Sequence, residues 1–123
     1  MVCEEIEFIR RNSISEDEYD IYVKWSIKLF HSITSYRGGD IHALPLREFL
    51  DFWILPLHQL LKDKDCEADI EELDIIIDWW SRKRRYKYIP KKGIFDSRGF
   101  HSRYIQIYEA YSREGRFNRN NNF

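Results

Sequence analysis

Apolar residues in this chain recur every three or four positions, and that spacing constrains the fold more than any other feature of the sequence. The clearest stretch begins at Ser15. Ser15 followed by Glu16-Asp17-Glu18 has the form of a capping box, in which the hydroxyl and the Glu18 carboxylate each take a backbone N–H of the first turn. Ile14 and Tyr19 stand at the two positions of a hydrophobic staple. Tyr19, Tyr22, Val23, Ser26, Phe30 and Ile33 share one face, widened by Trp25, Leu29 and Tyr36. A helix is therefore expected from Ser15 to about Tyr36, with Gly38-Gly39 ending it in the left-handed conformation.

Four further segments follow the same logic. Val2, Ile6 and Ile9, spaced along one face, predict a short helix over residues 2–11. Pro45 suits a first helical turn, and Leu46, Phe49, Leu50, Trp53, Leu57, Leu60 and Leu61 continue from it. Pro56 should kink or split that helix; Phe52, Ile54 and Leu55 make it apolar almost all round, hence central. Residues 62–66 read as a polar connection, after which Asp69 or Asp65 can cap a helix striped by Ile70, Leu73, Ile76, Ile77 and Trp80. The β-branched run Ile75-Ile76-Ile77 would also suit a strand, but the helical pattern spans more than a dozen residues. Pro90, Gly93 and Gly99 predict an irregular stretch, with a short hairpin around Lys91-Lys92-Gly93. A last helix over about 100–114 carries Phe100, Tyr104, Ile107, Tyr108 and Tyr111 on one side, and Gly115 fits its C′ position. The expectation is all-α: a compact bundle of four main helices, with a short N-terminal helix and an irregular basic segment before the last helix. Residues 1–115 make one helical domain and 116–123 a flexible polar tail.

Composition narrows the setting. At 123 residues, 43% hydrophobic and 33% charged, the chain is one globular domain's worth. The longest apolar run, Phe52 to Leu57, contains Pro56 and is too short for a membrane span, so no membrane partner is expected. The start Met1-Val2-Cys3-Glu4-Glu5 is acidic where a signal peptide is basic, and Cys3 and Cys66 do not make a disulfide framework. A cytoplasmic setting is the expectation.

Charge is distributed very unevenly. Residues 1–81 hold 8 Lys and Arg against 18 Asp and Glu, a balance of −10; residues 82–123 hold 12 against 3, a balance of +9. The sign changes abruptly. Asp63, Asp65, Glu67, Asp69, Glu71, Glu72, Asp74 and Asp78 face Lys64 alone, and Arg82-Lys83-Arg84-Arg85-Tyr86-Lys87-Tyr88-Ile89-Pro90-Lys91-Lys92 has no acid. Acids at a helix start and bases at its end also complement the helix dipole without any partner.

Groups that carry chemistry are sparse. His31, His42, His58 and His101 have no i, i+4 partner, and Cys3 and Cys66 have no Cys or His nearby, so no metal site is expected. No glycine-rich phosphate loop and no nucleophile motif occurs, and no cofactor is implied. One arrangement, Arg37-Gly38-Gly39-Asp40-Ile41-His42, separates Arg and His by four residues. It resembles the Arg-x4-6-His motif of the HEPN ribonucleases, which are small helical bundles. That resemblance implies RNA cleavage, with Arg37 and His42 stabilising the scissile phosphate and moving protons. It covers six residues, and two glycines stand between the pair where the family has helix.

Three functions follow as expectations. The leading one is a non-enzymatic protein-binding module, an inhibitor or immunity-type protein that neutralises a partner such as a nuclease toxin. Clustered carboxylates on a rigid helix imitate a phosphate backbone and suit a partner with a basic surface. The binding residues would be Asp65, Glu67, Asp69, Glu71, Glu72 and Asp78, with Trp79, beside a core Trp80, as an exposed aromatic anchor unless it packs under a neighbouring helix, and Tyr19 assisting. The second is a nucleic-acid-binding accessory protein: Arg82, Lys83, Arg84, Arg85, Lys87, Lys91 and Lys92 would contact phosphates while Tyr86 and Tyr88 stack on bases. The third is the ribonuclease. Opposite charges could also pair within the chain or between two copies, so a homo-oligomer stays open.

Overall fold

Pro56 lacks the N–H that an α-helix needs, and its ring collides with the carbonyl four residues back. The chain answers by widening the helix just ahead of it. In the computed structural model, which describes residues 1–33, 39–82 and 93–120 (the last six as backbone alone), an α-helical turn Leu46–Phe49 passes into a π-helical turn Leu50–Ile54 and then into a helix Leu55–Lys62. Pro56 sits in the first turn of that last piece, where no donor is required. The expected kink is thus realised as a π turn.

The remaining elements are α1 (Cys3–Arg11), α2 (Glu16–Ser32), a 3-10 turn Ile41–Ala43, α5 (Ile70–Arg82), α6 (Ser97–Ser102) and α7 (Tyr104–Asn120), with the pieces flanking the π turn as α3 (Leu46–Phe49) and α4 (Leu55–Lys62). The fold is all-helical, roughly a bundle, with no strand among the described residues. Among the described residues, no helix is long and apolar enough to cross a membrane. Helix α2 packs along α5 and on the π turn, α4 on α6, and α7 on α5. The buried side chains form one cluster in which Trp25, Trp53 and Trp80 are 1%, 1% and 0% exposed, as their helical phase predicts.

Several local expectations hold. The Glu18 N–H donates to Ser15 Oγ at 3.1 Å, the Ser15 N–H to Glu18 Oε1 at 3.4 Å, and Ile14 and Tyr19 are both buried. Asp69 caps α5 through a 2.8 Å bond from the Glu72 N–H.

Others are corrected. Helix α1 buries Phe8, while Val2 and Ile6 face solvent, because the large ring outweighs the aliphatic stripe over so short a helix. Helix α2 ends at Ser32, four residues early: the Ser32 hydroxyl bonds the Leu29 carbonyl, and Ile33 turns extended to reach the core. The last helix is two, broken at Arg103. Asp96 starts α6 by accepting the Arg98 N–H at 2.9 Å, and Gly99 lets it approach Ile94, whose Cα would lie 3.1 Å from an added Cβ. Helix α7 then runs past Gly115 to Asn120. The hairpin expected at Lys91-Lys92-Gly93 lies outside the described residues, apart from Gly93, as do Tyr36 and Gly38.

Candidate functional site

The acids between residues 63 and 78 divide into those the fold uses and those it leaves to solvent. Asp69 is spent on its cap. Asp74 Oδ1 accepts the Trp25 indole N–H at 2.8 Å, tying α5 to α2. Asp78 pairs with Arg82 at 2.7 Å and with Lys28 at 3.5 Å. Glu72 is half-buried and takes a long, 3.5 Å bond from the Tyr104 hydroxyl. By contrast, the carboxylates of Asp65, Glu67 and Glu71 are exposed and form no hydrogen bond or ion pair with the described residues.

Glu71 stands at a groove of about 480 Å³, where the start of α2, the end of α4 and the start of α5 meet. Among the described residues that line it, the apolar part is Leu61, Ala68 and Ile70, the last 40% exposed; the acids are Glu18, Asp69 and Glu71, and the base is Lys62. Ile75, one turn along α5 from Glu71, is 54% exposed. The groove therefore joins negative charge to exposed aliphatic surface.

Trp79 does not serve as an exposed anchor. It is half-buried beneath α7, its ring edge-on to Tyr111 at 5.4 Å and its indole N–H donating to Glu114 Oε2 at 2.7 Å. Tyr19 is buried as well, with its hydroxyl bonded to Glu5. Of the basic-aromatic segment only Arg82 is described, exposed and paired to Asp78; Lys83, Arg84, Arg85, Tyr86, Lys87, Tyr88, Lys91 and Lys92 lie outside the described residues. Arg37 does too. His42 sits exposed in the 3-10 turn capped by Asp40, not on a long helix as the HEPN pattern has it.

A second cluster escapes any reading of spacing. Helix α4 stops at Lys62, and the chain turns sharply: the Cys66 N–H donates to the Asp63 carbonyl at 3.2 Å and the Asp65 N–H to Asp63 Oδ1 at 3.0 Å. Glu67 completes the turn with φ of 50°, left-handed for a residue with a Cβ. This turn directs Cys66 back toward Asp63, with Sγ 3.4 Å from Oδ2. Helix α6, packed on α4, brings His101 to the same oxygen, Nε2 to Oδ2 2.8 Å. The donor atoms of Asp63, Cys66 and His101 lie within 4.8 Å of one another, all three half-buried, on a cleft of about 330 Å³ also lined by Gln59, Asp65, Arg98 and Ser102.

Local spacing could not register this grouping, since His101 lies 35 or more positions along the chain from both partners. The bond from His101 holds the Asp63 carboxyl below its ordinary range. Burial, reinforced by Asp63, pushes the Cys66 thiol up to about 11, so this cysteine is protonated near neutrality and is not poised as a nucleophile. His101 bonds Asp63 rather than activating the thiol. Cys3 and Cys66 are both free thiols.

Comparison with known proteins adds no relative: no family model, curated protein or solved structure matches this chain.

Proposed function

We propose that this chain is a non-enzymatic protein-binding module, of inhibitor or immunity type, whose acidic groove receives a basic segment of a partner protein. The observation that carries the reading is the groove beside α5, where Glu71 keeps an unpaired carboxylate next to the exposed Ile70. Unpaired rim carboxylates accelerate encounter with a basic surface and exclude acidic ones. The aliphatic residues supply the apolar area that holds the complex once formed. A segment that alternates Lys or Arg with an aliphatic or aromatic side chain matches both.

The test is a nuclease-treated pull-down from the native cell with tagged wild type and with Glu71→Lys combined with Ile70→Ser, followed by association kinetics with whatever is retained. Neither residue has a polar bond that the fold depends on, unlike Asp69, Asp74 or Asp78. A stoichiometric protein held by the wild type, with association slowed by salt, should bind the double variant about tenfold more weakly, equivalent to about 1.4 kcal/mol. Equal retention by both proteins refutes the groove. Partners that disappear with nuclease treatment transfer the function to the basic segment from Arg82 to Lys92.

A further inference from the structure

The geometry points to a divalent transition-metal site of zinc type at Asp63, Cys66 and His101, with three protein ligands and a fourth position open to the cleft. A thiol, an imidazole and a carboxylate are the three donor types that zinc accepts, and three protein ligands plus one exchangeable one is the pattern of its open sites. A harder ion such as magnesium or calcium would want oxygen ligands and would leave the sulfur unused.

The distances suit such an ion. With zinc–ligand bonds of about 2.0–2.3 Å, neighbouring donors in a tetrahedral site stand about 3.3–3.7 Å apart. Cys66 Sγ and Asp63 Oδ2 are at 3.4 Å. His101 Nε2 and Asp63 Oδ2, at 2.8 Å, must separate by about half an ångström, and no pair exceeds 4.8 Å. Rotation of half-buried side chains supplies shifts of this size. The two hydrogen bonds now joining the three groups give way to three coordinate bonds. The Cys66 thiol loses its proton to solvent, and the His101 proton moves from Nε2 to Nδ1. One proton is released for each divalent ion bound to the neutral imidazole, and no electron is transferred.

Placement favours the site further. Asp63 terminates α4, Cys66 lies in the turn that follows, and His101 is on α6, so a bound ion ties the end of α4 and its turn to α6. Its fourth position meets a cleft lined by Gln59, Asp65, Arg98 and Ser102, with room for water or a small anion.

The experiment is a titration of the tag-free full chain with cobalt(II) under reducing conditions, followed by displacement with zinc(II). Wild type should bind one equivalent, develop the intense visible bands of tetrahedral cobalt and a thiolate-to-cobalt band in the near ultraviolet, and lose both on adding zinc. Cys66→Ser should abolish the thiolate band, His101→Ala should weaken binding at least about 100-fold, and Cys3→Ser should change nothing. Thermal melts by circular dichroism establish that the variants fold. The wild-type titration decides alone if they do not: a spectrum that never saturates overturns the site, as does a thiolate band that survives in Cys66→Ser or vanishes in Cys3→Ser.

Discussion

Replacing Asp74 by Ala should destabilise the protein far more than an exposed helical carboxylate normally does. Asp74 itself is exposed, and surface substitutions usually fall within about 0.5 kcal/mol of neutral. Its oxygen, however, is the acceptor for the indole N–H of Trp25, at 2.8 Å, and Trp25 is only 1% exposed between α2 and α5. A hydrogen bond to a charged group is worth about 1.5–3 kcal/mol, and an indole N–H left without an acceptor in that interface bears most of the loss. Alanine's better helix propensity returns about 0.5 kcal/mol. The net expectation is a loss of about 1–2.5 kcal/mol, or a fall in Tm of about 4 °C for each kcal/mol. Urea unfolding followed by far-ultraviolet circular dichroism measures it without relying on tryptophan emission. Glu109→Ala, on the exposed face of α7, is the control and should stay within about 0.5 kcal/mol. Trp25→Phe in the Asp74→Ala background closes a double-mutant cycle, and the coupling should be about 1 kcal/mol or more. A loss for Asp74→Ala no larger than that of the control would refute the claim that the fold consumes this acid.

Two other outcomes are open to direct measurement. His58 is 7% exposed, its Nδ1 is 2.9 Å from the Tyr22 hydroxyl, and burial, with Lys62 nearby, holds its imidazole below the ordinary value of 6.5. The unfolded chain then binds a proton that the folded chain resists, so this contribution to stability is complete above about pH 6.5 and is lost as pH falls below it; His58→Gln should flatten the slope in urea midpoints over that window. Glu67 holds φ of 50°, where a Cβ costs about 1–2 kcal/mol, so Glu67→Gly should gain about 0.5 kcal/mol after glycine's greater unfolded freedom is counted. A loss there would mean that the Glu67 side chain contributes more to the turn than its backbone strain removes.

Legibility in the sequence followed the range of the interaction. Ser15 with Glu18, Ile14 with Tyr19, and Asp69 with the Glu72 N–H all act within one turn, and each was readable as a pattern. Trp25, Trp53 and Trp80 were readable from helical phase because three positions per two turns must face inward. The errors arose where tertiary contact overrode local preference. Gly99 looks like a breaker, yet it lies within α6 because that helix must approach Ile94. Trp79 looks free beside a buried Trp80, yet α7 covers it through Tyr111 and Glu114. The Asp63, Cys66 and His101 cluster was invisible for the same reason: Asp-x2-Cys is a trivial spacing, and the histidine arrives only when α6 docks on α4. The acidic run read correctly as charge but not as purpose, since a sequence cannot separate Asp74, held by Trp25, from Glu71, held by nothing described.

The π turn at Leu50–Ile54 has a bearing on how this chain tolerates changes of length. A π turn holds one residue more than the α-helical turn it replaces, so it acts as a phase adjuster between α3 and α4. Leu50, Trp53 and Ile54 within the turn, and Leu57 and Leu60 beyond it, all enter the core. Removing one residue from Leu50–Ile54 would restore an unbroken α-helical ladder with the two halves still in phase, whereas winding the same residues as α-helix would turn one half about 100° against the other. Every side chain from Leu57 onward would then miss its place, Asp63 among them, and the cleft beside His101 would lose one of its walls. The local geometry would become more regular and the molecule less complete: the irregular turn is the gearing that keeps two ends of one helix meshed with different neighbours.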